Sequence, residues 1–83
     1  MQWKISWSND AAGDLNKIDN KEVKRIIEKL EQASNNPNHY FERLVGSDYY
    51  KLRIGDYRVL VILFYNSQTI HVQKIGHRKN IYK

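Results

Sequence analysis

The stretch YKLRIGDYRVLVILFY, residues 50–65, decides the fold of this chain. Its first five residues alternate between an apolar set, Tyr50, Leu52 and Ile54, and a basic set, Lys51 and Arg53. In a β-strand this period of two sends the two sets to opposite faces of the sheet. The Gly55-Asp56 pair predicts a tight turn. Residues 57–65 are apolar on both faces in their middle, which is typical of the central strand of a covered sheet, so the stretch predicts a β-hairpin.

The flanking sequence extends this hairpin in both directions. After a turn at residues 66–68, a last strand is predicted from Thr69 to about Ile75. Before the hairpin, apolar residues at positions 3, 5 and 7 predict a strand, and Ser8 can cap a short helix. A second helix is predicted to end near Ser34, because its apolar residues follow the i, i+3, i+4, i+7 spacing of one helix face: Val23, Ile26, Ile27 and Leu30.

This order of elements predicts a single α+β domain over residues 1–83. It consists of an N-terminal strand, a two-helix hairpin and a three-strand antiparallel meander. We expect the strands to form a small four-stranded sheet covered by the helices.

The positive charge is concentrated in the C-terminal part of the chain. The 83 residues carry a formal net charge of +5, with a pI near 9.6. Residues 1–48 hold 7 Lys and Arg against 8 Asp and Glu, whereas residues 49–83 hold 7 Lys and Arg against a single acid, Asp56. A segment with a net charge of +6 favours a polyanionic partner such as nucleic acid, or an acidic protein.

The composition excludes several other classes of protein. With no Cys, the chain has neither a disulfide framework nor a thiolate metal site, and three scattered His do not suggest zinc. The longest apolar run, residues 59–65, is too short to span a bilayer, and no signal peptide opens the sequence. We therefore expect a cytoplasmic protein without a metal, a small-molecule cofactor or a membrane partner.

Two motifs in the last third of the chain resemble a known family. YKLRIGDYR at residues 50–58 is followed by IGHRKNIY at residues 75–82. With the order of elements, they resemble the RelE/ParE superfamily of toxin–antitoxin modules, and in particular its RelE-type mRNA interferase toxins. The resemblance covers nearly the whole chain, and its specific content lies in residues 50–82. It implies a RelE-like fold and a RelB-like antitoxin partner that is acidic and partly disordered.

The superfamily contains two activities, and the resemblance favours one of them. RelE-type members cut mRNA in the ribosomal A site, whereas ParE-type members inhibit DNA gyrase and generally lack the RNA-cleaving residues. The resemblance places the catalytic roles on four residues: Lys51, Arg58, Arg78 and Tyr82. It also leads us to expect RNA contacts from Arg53, Lys74, His77 and Lys79. The implied function is a toxin that cuts mRNA on the ribosome as a metal-independent endoribonuclease and so inhibits translation.

Metal-free RNA cleavage explains why such residues would be used. The 2′-hydroxyl must lose a proton to attack the adjacent phosphorus, and the 5′-oxygen must gain one as it leaves. Lys51 can accept a proton only as a neutral amine, a form that crowding by arginines favours. Arg78 is a poor acid in water and is better suited to holding the developing charge, whereas Tyr82 can stack on a base. The imidazole of His77 is an alternative acid, although it need not point the same way as Arg78.

Two other functions stay open at this point. One is a ParE-like gyrase inhibitor without nuclease activity, which retention of Lys51, Arg58, Arg78 and Tyr82 disfavours. The other is an inactive homologue that only binds an antitoxin. A nuclease built on His71 and His77 is disfavoured, because spacing alone does not bring two imidazoles together, and His71 is expected only to pack.

Overall fold

A computed structural model describes residues 2–79 of the chain. Three helices and five strands follow one another in the order β1 (Lys4–Trp7), α1 (Asn9–Asn16), α2 (Asn20–Ala33), α3 (Pro37–Tyr40), β2 (Glu42–Arg43), β3 (Tyr50–Ile54), β4 (Tyr57–Phe64) and β5 (Thr69–His77). The strands form one sheet in the order β1-β5-β4-β3-β2. β1 pairs parallel with β5, and the other pairs are antiparallel. The predicted α+β class is confirmed.

The sheet has five strands rather than the four expected. The additional strand, β2, is only two residues long and pairs with Tyr50 and Lys51 of β3. Its two residues are both charged and exposed, so no alternating apolar pattern marks them in the sequence. β5 also continues two residues beyond its predicted end and stops at His77.

The predicted boundaries of α1 and α2 agree with the structure, whereas the short helix α3 was not among the two helices predicted. Ser8 is the N-cap of α1, and its Oγ accepts a hydrogen bond from the backbone N–H of Ala11 at 3.0 Å. α2 ends at Ala33, with Ser34 as its C-cap, and Pro37 opens the short helix α3. No helix within residues 2–79 is long and apolar enough to cross a bilayer.

The hydrophobic core lies on one side of the sheet only. There α1 and α2 bury Ala11, Ile26, Leu30 and Ala33 against the strand residues Leu52, Ile54, Val59, Val61, Leu63, Ile70, Val72 and Ile75. By the alternation and register of the strands, the other side carries Lys4, Ser6, Lys51, Arg53, Arg58, Leu60, Ile62, Phe64, Thr69, His71, Lys74 and Gly76. We call this side the open face, because none of the helices described here packs on it.

The expectation that β4 is a central strand of a covered sheet is confirmed, since β4 is flanked by β3 and β5 and lies under the helices. Among residues 2–79, the helices cover one of its two faces. On the open face, Leu60 and Ile62 are only half-buried and Phe64 is exposed. The apolar run of β4 thus continues onto the exposed side of the sheet.

A β-bulge in β5 is held by α1. Leu60 pairs with Lys74 and Val61 with Val72, which leaves Gln73 as an extra residue in β5. The Ser8 hydroxyl donates to the Gln73 carbonyl at 2.7 Å, and the Asp14 carboxylate accepts a hydrogen bond from the Ile75 N–H at 2.9 Å. β1 ends opposite Val72, and beyond that residue Ser8 and α1 provide hydrogen-bond partners for the edge of β5. These contacts hold the part of β5 that precedes residues 76–79.

We predict that Asp14→Ala lowers the free energy of unfolding by ~1–3 kcal/mol, because the Ile75 N–H loses its partner in a partly buried place. The matched control is Lys74→Ala, which removes only a half-exposed ion pair to the same carboxylate, with Nζ and Oδ2 3.9 Å apart. That change should cost less than ~1 kcal/mol. Urea denaturation measures both, and equal small losses would contradict a role for Asp14 in holding β5.

Candidate functional site

Three cations lie together on the open face. Arg53 of β3 and Arg58 of β4 are directly opposite each other in the antiparallel pairing, and Lys51 precedes Arg53 on the same side of β3. All three line one cleft of about 290 Å³, together with Tyr40 and Glu42. We call Lys51, Arg53 and Arg58 the cation cluster. The alternation in the stretch 50–65 predicted this arrangement, and the register of the hairpin brings the three side chains to one place.

The cation cluster is electrostatically unfavourable by itself. Like charges directly opposite each other across two strands destabilise a sheet. Within residues 2–79, no carboxylate lies within 4.0 Å of any of its three cationic groups. Arg58 is half-buried and donates one N–H to its neighbour's carbonyl, that of Tyr57, at 3.3 Å. Such a cluster is suited to an external anion, and guanidinium groups are well matched to phosphate.

Glu42 is a member of the cleft that sequence reasoning missed. It lies directly opposite Lys51 in the pairing of β2 with β3, and so on the same face. Only the register of β2 shows this, since Glu42 has no recognisable spacing to the other residues. Its carboxylate adds a negative charge beside Lys51. It does not make a metal site, because in the described part of the chain no three His, Cys, Asp or Glu residues come together.

Arg78 lies in the turn that follows β5, outside the sheet. Its backbone N–H donates to the Asp56 carbonyl in the β3–β4 turn at 2.8 Å, and the residue is exposed. Gly76, two residues earlier, is opposite Arg58. The contact with Asp56 places the backbone of Arg78 beside the turn that joins Arg53 to Arg58. Tyr82 lies outside the described residues.

The other expected RNA contacts are in a different place. Lys74 faces Asp14 of α1, and His77 sits edge-on to the Tyr57 ring with centroids 5.9 Å apart. Both line a second cleft of about 430 Å³ between α1 and the end of β5. Lys79 is exposed, and its backbone N–H donates to Nδ1 of His77 at 3.3 Å. The structure therefore places His77 on the side of the helices, whereas Lys74 lies opposite Leu60 on the open face with its ammonium directed to Asp14.

The two strand histidines are not neighbours. His71 is opposite Ile62 on the open face, whereas His77 is opposite Tyr57 on the side of the helices. In a regular strand, residues 71 and 77 would share a face, and the bulge at Gln73 separates them. A His71–His77 catalytic pair is thus excluded by the register.

Known proteins resemble this chain over nearly its whole length. The sequence profile of the family described as ParE toxin of type II toxin–antitoxin system, parDE, matches residues 5–82. Two Methanocaldococcus jannaschii proteins that bear the toxin names RelE1 and RelE4 are 28% and 35% identical to it. The alignments cover 100% and 83% of this chain, and 98% and 76% of the two relatives.

Among solved structures, the Mycobacterium tuberculosis RelBE2 toxin–antitoxin complex contains a chain of the same fold. It superimposes with a TM-score of 0.85 at 20% sequence identity, over 94% of this chain and 100% of that chain. At this identity the likeness concerns the fold.

We predict that the cation cluster sets the salt dependence of single-stranded RNA binding. The triple variant Lys51→Gln/Arg53→Gln/Arg58→Gln should reduce the slope of log K against log salt by about 2, since each phosphate contact on a single strand contributes ~0.7. The control, Lys17→Gln/Lys21→Gln/Lys24→Gln, removes the same charge from the exposed C-cap of α1 and two exposed positions of α2, and it should keep the parent slope. Fluorescence anisotropy of a labelled oligonucleotide measures both, and equal slopes would contradict the site.

Proposed function

The chain belongs to the ParE toxin family of type II toxin–antitoxin systems, within the RelE/ParE superfamily, and from this membership we propose that it is a ribosome-dependent endoribonuclease that cuts mRNA. The observation that carries the proposal is the Arg53–Arg58 pair, two like charges held opposite each other without a carboxylate partner. A surface arranged at such a cost in stability is best explained by an anionic substrate. The names of the relatives, RelE1 and RelE4, support the nuclease rather than the gyrase activity.

In the proposed reaction the scissile phosphate binds at the cation cluster. The 2′-hydroxyl gives up its proton, its oxygen forms a bond to phosphorus, and the bond from phosphorus to the 5′-oxygen breaks. The 5′-oxygen takes up a proton, so the products are a 2′,3′-cyclic phosphate and a 5′-hydroxyl. Arg58 and Arg78 would hold the charge that develops on the phosphate oxygens, because that charge exists only as the bond is made and broken.

Lys51 has two possible roles in this scheme. It can take the proton of the 2′-hydroxyl, or it can remain charged and contact the phosphate. Glu42 lies directly opposite Lys51 in the sheet, so either role must be carried out beside a carboxylate. The two roles differ in one testable way, because Arg can replace a charge contact but cannot act as a base at ordinary pH.

The proposed partner in the resting cell is a RelB-like antitoxin. The Mycobacterium tuberculosis structure with the same fold is a complex of toxin and antitoxin. Residues 49–83 carry a net charge of +6, which suits an acidic segment that is disordered when free and folds onto the toxin. Ribosome and mRNA are the proposed partners of the free toxin.

Inhibition of DNA gyrase is the second candidate function, since the matched family is described by the name ParE. It requires no catalytic residues in this chain. The cation cluster would then be a surface for binding gyrase or DNA, and the chain would leave mRNA intact. Assays on ribosomes and on gyrase in parallel therefore separate the two functions.

We predict that Lys51→Ala, Arg58→Ala and Arg78→Ala each slow mRNA cleavage ~10²-fold or more, the usual scale for acid–base and charge-stabilising groups. The assay uses purified ribosomes that hold a defined mRNA in the A site, with circular dichroism to verify the fold. Lys24→Ala, at an exposed position of α2, is the control and should cut like the parent. Lys51→Arg should keep most of the activity if Lys51 is a charge contact, and lose it if Lys51 is the base.

Two results of these assays would overturn the proposal. If the folded alanine variants cut as fast as the parent, the cation cluster is not the catalytic site. If the parent leaves ribosome-bound mRNA intact but blocks the supercoiling activity of gyrase, the chain is a gyrase inhibitor.

We predict for Tyr82 that loss of the ring matters more than loss of the hydroxyl. A base–aromatic stack is worth ~1–3 kcal/mol, so Tyr82→Ala should slow cleavage roughly 10- to 100-fold. Tyr82→Phe should retain much of the activity, because it keeps the stacking surface. The same ribosomal assay measures both variants. If Phe is as poor as Ala, the hydroxyl is required, and if neither change matters, Tyr82 has no role in the reaction.

A further inference from the structure

An aromatic pair with one exposed and one half-buried member lies on the open face, away from the cation cluster. Phe64, the last residue of β4, is 48% exposed. The His71 ring of β5 is tilted toward it, with centroids 6.3 Å apart and an interplanar angle of 58°. We call Phe64 and His71 the aromatic platform. Nothing in the proposed reaction uses it, and a solvent-exposed Phe at an open strand end contributes little to a core.

A hydrogen bond from the neighbouring strand β1 orients the His71 ring. Its Nδ1 is 2.7 Å from the Ser6 hydroxyl, in a hydrogen bond between paired residues of β1 and β5. The residue is half-buried, which agrees with the expectation that His71 packs, and the hydrogen bond to Ser6 adds to that packing. A ring held by a hydrogen bond loses less entropy when a ligand stacks on it than a freely rotating ring does.

The platform is continuous with the cation cluster along a single strand. Arg58, Leu60, Ile62 and Phe64 occupy alternate positions of β4 and therefore form one row on the open face. The row is ~20 Å long, at 3.3 Å per residue. The row begins at the cation cluster and ends at the platform. A single strand of RNA that is bound at Arg58 and follows β4 therefore passes over Phe64.

The charges around this row favour a polyanion over a protein segment of mixed charge. Among the described strand residues of the open face, only Glu42 is acidic, whereas the basic residues are Lys4, Lys51, Arg53, Arg58 and Lys74. Near the platform, Asp48 and Arg43 line one cleft with Ile62 and Phe64 and add one charge of each sign. Lys4 lies at the platform end, opposite Thr69, which in turn is opposite Phe64. Basic residues at both ends of an apolar and aromatic row are the combination that binds single-stranded RNA, with cations on the phosphates and rings on the bases.

We propose that Phe64 and His71 stack on a base of the mRNA a few nucleotides from the cleaved bond, so that β4 positions the strand over the cation cluster. This inference rests on the proposed nuclease function. The platform is a positioning site and takes no part in proton transfer. The platform binds a base by stacking, and every base can stack. It therefore determines where the RNA strand lies and does not select the sequence that is cut.

The test measures cleavage of ribosome-bound mRNA in which a single abasic nucleotide is moved through the positions that flank the cut. For the parent, one position a few nucleotides from the cut should slow cleavage about tenfold, the scale of one base–aromatic stack. Phe64→Leu should slow cleavage of intact mRNA by the same factor, and the abasic nucleotide at that position should have no further effect. Phe64→Trp keeps a stacking surface and should behave like the parent.

Tyr65→Leu is the matched control. Tyr65 is the next residue and is equally exposed, at 49%, but its ring packs edge-on against Trp3 and its hydroxyl donates to Asn38 at 2.9 Å. The Tyr65→Leu variant therefore removes an exposed ring that is not part of the row on the open face. This variant should cut intact mRNA at the parent rate and keep the parent's sensitivity to the abasic position.

Other outcomes would overturn the inference. If Phe64→Leu cuts like the parent and stays sensitive to every abasic position, no base stacks on the platform. If Phe64→Leu weakens antitoxin binding alone, the platform is a protein-docking surface. If the parent cuts no mRNA, the proposed function fails, and binding of a short single-stranded RNA then tests the platform separately. Equal affinity of the parent and Phe64→Leu for that RNA would overturn the inference in that case.

Discussion

The pairing of β4 with both of its neighbours is the constraint on which the rest of the structure depends. β4 is hydrogen-bonded to β3 on one side and to β5 on the other, and it contributes Val59, Val61 and Leu63 to the core. Burial of these side chains under the helices fixes which residues of β4 point away from them, because a slip of one residue would turn the whole set to the other face. The position of Arg58 beside Arg53 follows from the same register.

The open face shows how the fold accommodates an unfavourable surface. Opposed arginines destabilise a sheet, and a domain of this size has little stability in reserve. The cost is offset on the other side of the sheet, where thirteen hydrophobic residues of the range 2–79 are buried. The opposed arginines and the incompletely buried apolar side chains are concentrated on one face. Such a concentration is expected of a surface that binds a ligand.

The bulge in β5 changes the chemistry that the strand can support. One extra residue, Gln73, moves His77 to the side of the helices and leaves His71 on the open face. Ser8 and Asp14 of α1 hold the bulge through hydrogen bonds to the backbone of β5. A helix distant in sequence thus holds the register by which His77 lies on the side of the helices, and its Asp14 carboxylate lies 3.9 Å from the ammonium of Lys74, whose register position is opposite Leu60 on the open face.

The sequence alone determined what local periodicity and chain chemistry can specify. The alternation at residues 50–54, the Gly55-Asp56 turn, the Ser8 cap and the apolar face of α2 all depend on neighbours a few residues apart, and each is present in the structure. The two motifs of residues 50–82 also indicated the superfamily. The catalytic roles given to Lys51, Arg58, Arg78 and Tyr82 remain predictions, and Tyr82 lies outside the described part of the chain. Only the tertiary structure decided the parallel pairing of β1 with β5, the short strand β2 that brings Glu42 to Lys51, the bulge at Gln73 and the uncovered side of the sheet. Each of these depends on contacts between residues far apart in the chain, and a hydrogen-bond register between distant strands leaves no periodic signal in either of them.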